Sequence, residues 1–213
     1  MTTPLEQIDA VTRQITSREH NGQEAKVLTA IQSYPAEIED VWDALTTAER
    51  IPRWFLPISG DLEVGGRYQL EGNAGGVVES CDPPKHFAVT WEMGPMVSWL
   101  EVTIKPGTDD GETTVVLEHI AHVDDDLWRE YGPGAVGVGW DSGFLGLASH
   151  LGTGAGIDPT NAQQWIASDE GKAFMARSSD AWCAASIAAG TDAAEAREAA
   201  ARTTEAYTAP PEQ

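Results

Sequence analysis

Two histidines near the end of one predicted strand are the residues best placed for chemistry. His119 follows Val115 and Leu117 at every second position, so its side chain is predicted on the same inward face of the strand. An inward imidazole can act as a polar anchor or as a general base. The sequence fixes no second acid or base beside it, and a hydrogen-bonded core histidine satisfies the same pattern. We therefore predict no catalytic residue and keep His119 as a candidate binding residue.

A metal site would require further ligands. His119 and His122 are three residues apart, and on a strand this spacing points the two rings in different directions. Zinc sites use three or four protein ligands, and no third ligand accompanies this pair. The sequence also has no Gly-x-Ser-x-Gly turn, no phosphate loop ending in Gly-Lys-Ser or Gly-Lys-Thr, and no paired-cysteine zinc spacing. We predict neither a metal nor a cofactor.

Large aromatic side chains are the second chemical feature, and tryptophan alone occurs eight times. Wide rings from different elements leave space when they meet between a sheet and a helix, so they predict a cavity for an apolar guest. The alternative is that the rings simply fill the core. Trp99 alternates out of phase with Leu100 and Val102 and is predicted on the outer face. The predicted cavity residues are Trp54, Phe55, Trp91, Leu117, His119, Trp128, Trp140, Phe144 and Leu147.

The elements that must position these rings are a helix, a series of short strands and a second helix. Apolar residues at i, i+3, i+4 and i+7 predict that the first helix lies against a sheet, and these are Ile38, Val41, Trp42 and Leu45. Period-two alternation and Gly- or Pro-containing turns predict five antiparallel strands, Arg67–Leu70, Val77–Cys81, His86–Glu92, Ser98–Lys105 and Thr113–His119. A second set of apolar residues at helical spacing predicts the helix that covers the strands, and these are Trp140, Phe144, Leu147 and Leu151. The predicted fold class is α+β, a curved antiparallel sheet gripping a long helix.

The second helix carries an unusual number of glycines. They are Gly134, Gly137, Gly139, Gly143 and Gly146. Each costs about 1 kcal/mol relative to alanine inside a helix, which indicates either close packing or a mobile lid. Alternatively, the first turn is loop as far as about Gly137.

Composition excludes several classes of function. The chain has 13 basic and 34 acidic residues, a net charge of −21, which repels phosphate backbones and anionic lipid surfaces. We expect no nucleic-acid partner. Apolar runs are broken well before the ~18 residues that a membrane span needs, so we expect no membrane insertion. Two distant cysteines and no signal-like start predict a reduced, cytoplasmic protein.

The chain divides into three predicted segments. Residues 1–25 form an N-terminal extension with a short helix, because Leu5, Ile8, Val11 and Ile15 make a weak helical stripe. Residues 26–151 form the sheet-and-helix domain. Residues 152–213 begin with a Gly-rich joint and continue as helices, with Ser168 and Asp192 as predicted helix starts. We predict that this C-terminal extension packs on its own domain, and the alternatives are that it closes the cavity or forms a homodimer.

Four segments of the sequence, in order, resemble a known family. They are VWDALTTAERIPRWF, GDLEVGGRYQLEGNAGGVVESCDPPKHFAVTWE, TTVVLEHIAH and GVGWDSGFLGLASHL. They are similar to the START-like (SRPBCC) superfamily, in the branch named for the heat-shock-protein ATPase activator homologue. The resemblance covers about residues 26–151 and implies a helix-grip fold with a cavity between the sheet and its C-terminal helix. It does not identify a ligand.

Three functions are compatible with these observations. The favoured one is binding of an apolar small molecule, lipid-like or aromatic, without assigned catalysis. The alternative is an enzyme of the polyketide-cyclase or hydrolase kind found in the same superfamily, with His119 as acid or base. The weakest is a co-chaperone that activates a heat-shock-protein ATPase, because residues 1–25 leave no room for the separate N-terminal module associated with that role.

Overall fold

The computed structural model describes residues 3–123, 125–156 and 158–209, and it contains a single antiparallel sheet of eight strands. The spatial order is β1-β2-β8-β7-β6-β5-β4-β3. The strands are β1 Thr12–His20, β2 Gln23–Tyr34, β3 Ile58–Gly60, β4 Arg67–Leu70, β5 Gly75–Asp82, β6 His86–Met93, β7 Met96–Pro106 and β8 Thr113–Ala121. The predicted α+β class and the curved antiparallel sheet are confirmed.

Eight helices lie among the described residues. They are α1 Pro4–Asp9, α2 Ile38–Thr46, α3 Ile51–Trp54, α4 Asp125–Tyr131, α5 Gly134–Thr153, α6 Pro159–Ala167, α7 Asp169–Ala188 and α8 Ala193–Thr208. Among these, none is both long enough and apolar enough to cross a membrane.

The N-terminal segment differs from the prediction of a short packing helix followed by a separate domain. Helix α1 ends at Asp9, and Thr12–His20 forms the edge strand β1 of the main sheet. The physical reason is the turn at Asn21 and Gly22, whose positive φ angles of 51° and 76° suit a two-residue hairpin loop. The helical stripe arises because residues of two different elements fall at helical spacing. Residues 1, 2 and 210–213 lie outside the described part of the chain.

Helix α5 covers the apolar face of the sheet. Trp140, Phe144 and Leu147 are buried in one cluster with Leu117 and with residues from β2, β4, β5, β6 and β7. The inward residues of the central strands alternate with exposed or half-buried ones, as the sequence pattern predicts. The long helix therefore lies where a helix-grip fold places it.

The C-terminal helices cover the other side of α5. Their N-terminal ends are capped by Asp158, Ser168 and Asp192, whose side chains accept hydrogen bonds from the backbone N–H groups of the second or third residue of each helix. The starts predicted at Ser168 and Asp192 are confirmed. These helices pack on the same domain rather than extending away from it.

Two glycines of α5 are explained by this packing. A Cβ atom built on Gly137 would lie 2.4 Å from the Trp182 ring of α7, and one built on Gly134 would lie 3.0 Å from Thr203 of α8. At these two positions the absence of a side chain allows close contact between helices, and α5 is helical from Gly134 onward. Close packing therefore accounts for Gly134 and Gly137.

Candidate functional site

A cavity of about 140 Å³ lies between the covering helices and the concave face of the sheet. The side chains around it come from α2, α3, α5, the segment between α3 and β4, and strands β4 to β8. None of them is charged. They are Leu45, Thr46, Ile51, Trp54, Phe55, Ile58, Leu62, Tyr68, Leu70, Val78, Cys81, Phe87, Val89, Trp91, Leu100, Val102, Leu117 and Trp140.

Helix α3 sets the position of two aromatic walls. Pro52 occupies the first turn of this four-residue helix, where a missing N–H costs nothing. The indole N–H of Trp54 donates to the carbonyl of Ala44 at 2.8 Å and so ties α3 to α2. Phe55 follows directly, and its ring stacks on Trp54 at a centroid distance of 5.3 Å. Both rings therefore have fixed orientations beside the cavity.

A chain of hydrogen bonds orients the ring of Trp140. Its indole N–H donates to His119 Nδ1 at 2.9 Å, so this nitrogen is an acceptor and the neutral ring carries its proton on Nε2. His119 Nε2–H donates to Ser98 Oγ at 2.9 Å, and the Ser98 hydroxyl donates to the carbonyl of Trp91 at 3.1 Å. Both nitrogens of the imidazole are thus engaged inside the protein.

The buried position of His119 keeps it uncharged. Only 4% of the residue is exposed, and this burial lowers the pKa of His119 from its ordinary 6.5 to about 4. A proton on Nδ1 would also face the indole N–H of Trp140, donor against donor. His119 is therefore an orienting group for Trp140, without a free lone pair for a guest in the cavity.

The stability of the protein should depend on pH through His119. The unfolded chain binds this proton below about pH 6.5 and the folded chain only below about pH 4, so between these values unfolding takes up a proton. The contribution of uncharged His119 to the free energy of unfolding is therefore fully present at neutral pH. It decreases as the pH falls, and about 3 kcal/mol has been lost at pH 4. Urea unfolding at a series of pH values should show this loss in the wild type and not in His119→Gln. An equal pH dependence in both proteins would contradict the assignment.

The structure brings together five of the predicted cavity residues. Trp54, Phe55, Trp91, Leu117 and Trp140 line the cavity. The other lining residues were not among the predicted cavity residues, and they come from α2, α3, the segment between α3 and β4, and strands β4 to β7. On the strands, such as at Tyr68, Val78 and Val89, the period-two pattern was the available signal.

The other four predicted residues lie elsewhere. His119 is behind the rings of Trp91 and Trp140, with ring centroids 6.4 and 5.7 Å away. Phe144 lies one turn further along α5 and packs edge-on against Tyr34, while Leu147 is completely buried in the core. Trp128 of α4 lines a second cavity of about 160 Å³ between α4, the start of α5, α7 and α8. The curvature of the sheet brings only one end of α5 to the apolar cavity.

The second histidine and Trp99 lie on the outer face. His122 Nε2 is 2.9 Å from the carbonyl of His20, and its ring packs against Trp99 at a centroid distance of 5.1 Å. His119 and His122 therefore point to opposite faces of the sheet. Within the described residues, no group of three or more His, Cys, Asp or Glu side chains has the arrangement of a metal site.

Comparisons with known proteins agree with this architecture. The family described as "Activator of Hsp90 ATPase homolog 1-like protein" matches residues 35–152. CalU16 from Micromonospora echinospora is 27% identical in its crystal structure, with a TM-score of 0.63, covering 83% of this chain and 98% of CalU16. Its solution structure gives 26% identity and a TM-score of 0.69, covering 85% and 97%.

A more distant similarity concerns the fold alone. The solution structure of the Aha1 dimer from Colwellia psychrerythraea is 19% identical, with a TM-score of 0.50, and covers 61% of this chain and 98% of that one. No curated protein sequence matches the chain.

Proposed function

The chain belongs to the activator of Hsp90 ATPase homolog 1-like family within the START-like (SRPBCC) superfamily, and from this premise we propose that it binds an apolar small molecule in the cavity between sheet and helix. The observation that carries the proposal is the lining, which is assembled from three helices, six strands and the segments that flank β3, and contains no charged side chain. Water in such a space would have few hydrogen-bond partners, so an apolar guest is favoured over water.

The size of the cavity limits the guest. Its volume of about 140 Å³ is close to the ~150 Å³ of an engineered apolar cavity that binds benzene. Several lining residues, including Trp54, Phe55 and Trp91, are half-buried, which leaves a path to solvent. A small guest can therefore enter without global unfolding, while a larger one must displace rings at the opening.

Catalysis at this site gains no support from the geometry. The general base of the enzymatic alternative was His119, and both of its ring nitrogens are already bonded to Trp140 and Ser98. A base must reach the proton that it abstracts, directly or through one water. Binding without assigned catalysis is therefore the function that we propose.

The C-terminal helices enter the proposal only as a candidate surface for a homodimer. The Colwellia psychrerythraea protein is a dimer in its solution structure, which makes dimerisation of this chain worth measuring. Sedimentation velocity over a range of protein concentrations would measure the oligomeric state directly.

The binding proposal is tested with two uncharged probes, 2-naphthol and 1-decanol. Native mass spectrometry of the purified protein would detect any compound that has remained bound. Isothermal titration calorimetry would then measure the affinity of the two probes. The absence of any bound compound, together with no binding of either probe, would overturn the proposal.

Filling the cavity should weaken binding of the guest. Val89 lines the cavity on β6, and in Val89→Phe the added ring occupies the space of the guest. We expect the Kd of whichever probe binds the wild type to rise at least about tenfold, because the favourable burial of the guest is lost. The matched control is Val64→Phe, at a residue that is 61% exposed and does not line the cavity, and its Kd should equal that of the wild type. Unchanged binding in Val89→Phe would place the guest elsewhere.

A further inference from the structure

Three aromatic rings beside the cavity are nearly parallel. The planes of Trp54 and Phe55 differ by 26°, and those of Phe55 and Trp140 differ by 19°. The Phe55 and Trp140 centroids are 6.3 Å apart, near the wide end of the ~4.5–7 Å range for interacting aromatic pairs. Three aromatic side chains with similar ring orientations therefore line the cavity next to one another.

A fourth aromatic ring of the cavity lining, that of Trp91, is not parallel to these three. The ring of Trp91 is tilted by 59° to that of Trp140, with centroids 5.0 Å apart. A planar guest stacked on Phe55 and Trp140 would meet Trp91 obliquely, and tilted contacts of this kind are favourable between aromatic rings. An alkyl chain would be buried by the same side chains, but it would not gain the additional energy of contacts between aromatic rings.

The indole and phenol donors around the cavity already donate within the protein. The indole N–H groups of Trp54 and Trp140 donate to Ala44 O and His119 Nδ1, and the Tyr68 hydroxyl donates to Thr90 O at 2.7 Å. No Lys, Arg or His is among the lining residues. An ionised carboxylate would be buried without a partner there, at a high cost in free energy. The site therefore disfavours fatty acids and other anions.

We propose that the preferred ligand is a compact, planar, uncharged aromatic molecule of one or two rings, stacked on the faces of Phe55 and Trp140. This inference rests on the proposed function and narrows it from apolar molecules in general. The volume of about 140 Å³ agrees with it, since pockets for larger ligands usually measure ~300–1,000 Å³.

The test compares four probes by isothermal titration calorimetry. They are 2-naphthol, its saturated analogue decahydro-2-naphthol, the anion 2-naphthoate and the flexible alcohol 1-decanol. We expect 2-naphthol to bind about tenfold more tightly than decahydro-2-naphthol, from the extra energy of aromatic contacts. The same margin is expected over 1-decanol, and 2-naphthoate should not bind detectably.

Two variants locate the source of this preference. Phe55→Leu removes one parallel face but keeps an apolar side chain, and it should reduce the preference for 2-naphthol over decahydro-2-naphthol to less than about threefold. The control is Phe144→Leu, because Phe144 lies one turn further along α5, packs edge-on against Tyr34 at 81° and does not line the cavity. Phe144→Leu should keep the preference of the wild type.

The outcomes separate this inference from the proposed function. Binding of decahydro-2-naphthol or 1-decanol as tightly as 2-naphthol would overturn the aromatic ligand and leave apolar binding in place. Equal binding of 2-naphthoate would overturn the exclusion of anions. A preference unchanged in Phe55→Leu would overturn the stacking position. No binding by any of the four probes would overturn both the inference and the proposed function.

Discussion

Asp141→Ala is expected to lower the free energy of unfolding by about 3–5 kcal/mol, the cost of breaking a buried ion pair by removing one partner. The Asp141 carboxylate on α5 accepts from Arg13 of β1, with Arg13 Nε 3.1 Å from Asp141 Oδ2. The two side chains are only 1% and 6% exposed, respectively. In the variant, the guanidinium of Arg13 stays buried without a counter-charge.

The same carboxylate holds α7 in place. Ser178 and Trp182 of α7 also donate to Asp141 Oδ2, so the alanine variant leaves two further buried donors without their acceptor. Burial raises the pKa of the Asp141 carboxyl, and Arg13, Ser178 and Trp182 offset part of that rise. Burying the charged carboxylate therefore costs free energy, and removing it while its three donors stay buried costs more. Asp141→Asn, which keeps an acceptor oxygen but removes the charge, should lose less stability than Asp141→Ala.

An exposed ion pair provides the control. Asp9 bonds to Arg177 of α7 at 2.7 Å and likewise connects the N-terminal segment to this helix, but the side chains are 63% and 53% exposed. Asp9→Ala should cost no more than about 1 kcal/mol, as is usual for surface pairs. Urea unfolding of the two alanine variants measures both values. Equal losses would show that the Arg13–Asp141 pair has no special structural role.

Much of the fold could be predicted from the sequence because the sheet is half-buried. Each central strand shows period-two alternation and ends at a Gly- or Pro-containing turn, so the predicted Arg67–Leu70 and Thr113–His119 lie within or equal to the observed strands. β1 was missed because it is a mainly polar edge strand. Its clearest signal was the Asn21-Gly22 pair, which is typical of a hairpin as well as of a helix end.

The candidate site could be predicted only in part, because alternation gives the face of an element and not its neighbours. It correctly places His119 and Leu117 on one face of β8, yet only Leu117 lines the cavity since two indole rings cover His119. Likewise, Trp140 and Phe144 share one stripe of α5 but contact different parts of the curved sheet. Which residues line a cavity depends on curvature, and curvature is not readable from a single strand.

A second stripe on α5 was available in the sequence. Gly134, Gly137 and Asp141 are spaced by three and four residues and form the face on which α7 and α8 pack. Small residues with one acid on a helix whose opposite stripe is strongly apolar indicate burial on both sides. Arg13, the ion-pair partner of Asp141, is 128 residues away in the sequence, and nothing near it in the sequence indicates this pairing.

Trp182→Ala is expected to destabilise the protein by about 3–5 kcal/mol, as truncation of a large core side chain usually does. Trp182 is 0% exposed, and its N–H donates to Asp141 Oδ2 at 3.1 Å. The guanidinium of Arg13 lies over its ring at 5.8 Å from the centroid, which adds a cation–π contact. The same ring lies against the backbone of α5 at Gly137, so the variant opens a void between α5 and α7. Urea unfolding of wild type and variant measures the loss.

Because Trp182 contacts Gly137, we expect Gly137→Ala to destabilise the wild type but to stabilise the Trp182→Ala variant. In the wild type, Gly137→Ala places a methyl group 2.4–2.6 Å from three atoms of the indole ring, and this overpacking, about 1–3 kcal/mol, exceeds the ~1 kcal/mol gained in helix propensity. In the Trp182→Ala background the ring is absent, so Gly137→Ala should stabilise by up to about 1 kcal/mol. Gly139→Ala, whose nearest neighbour would be Tyr207 Oη at 3.6 Å, should stabilise in both backgrounds. If Gly137→Ala stabilises the wild type as much as Gly139→Ala does, α7 does not pack closely on α5, and the glycines of this helix require the lid explanation instead.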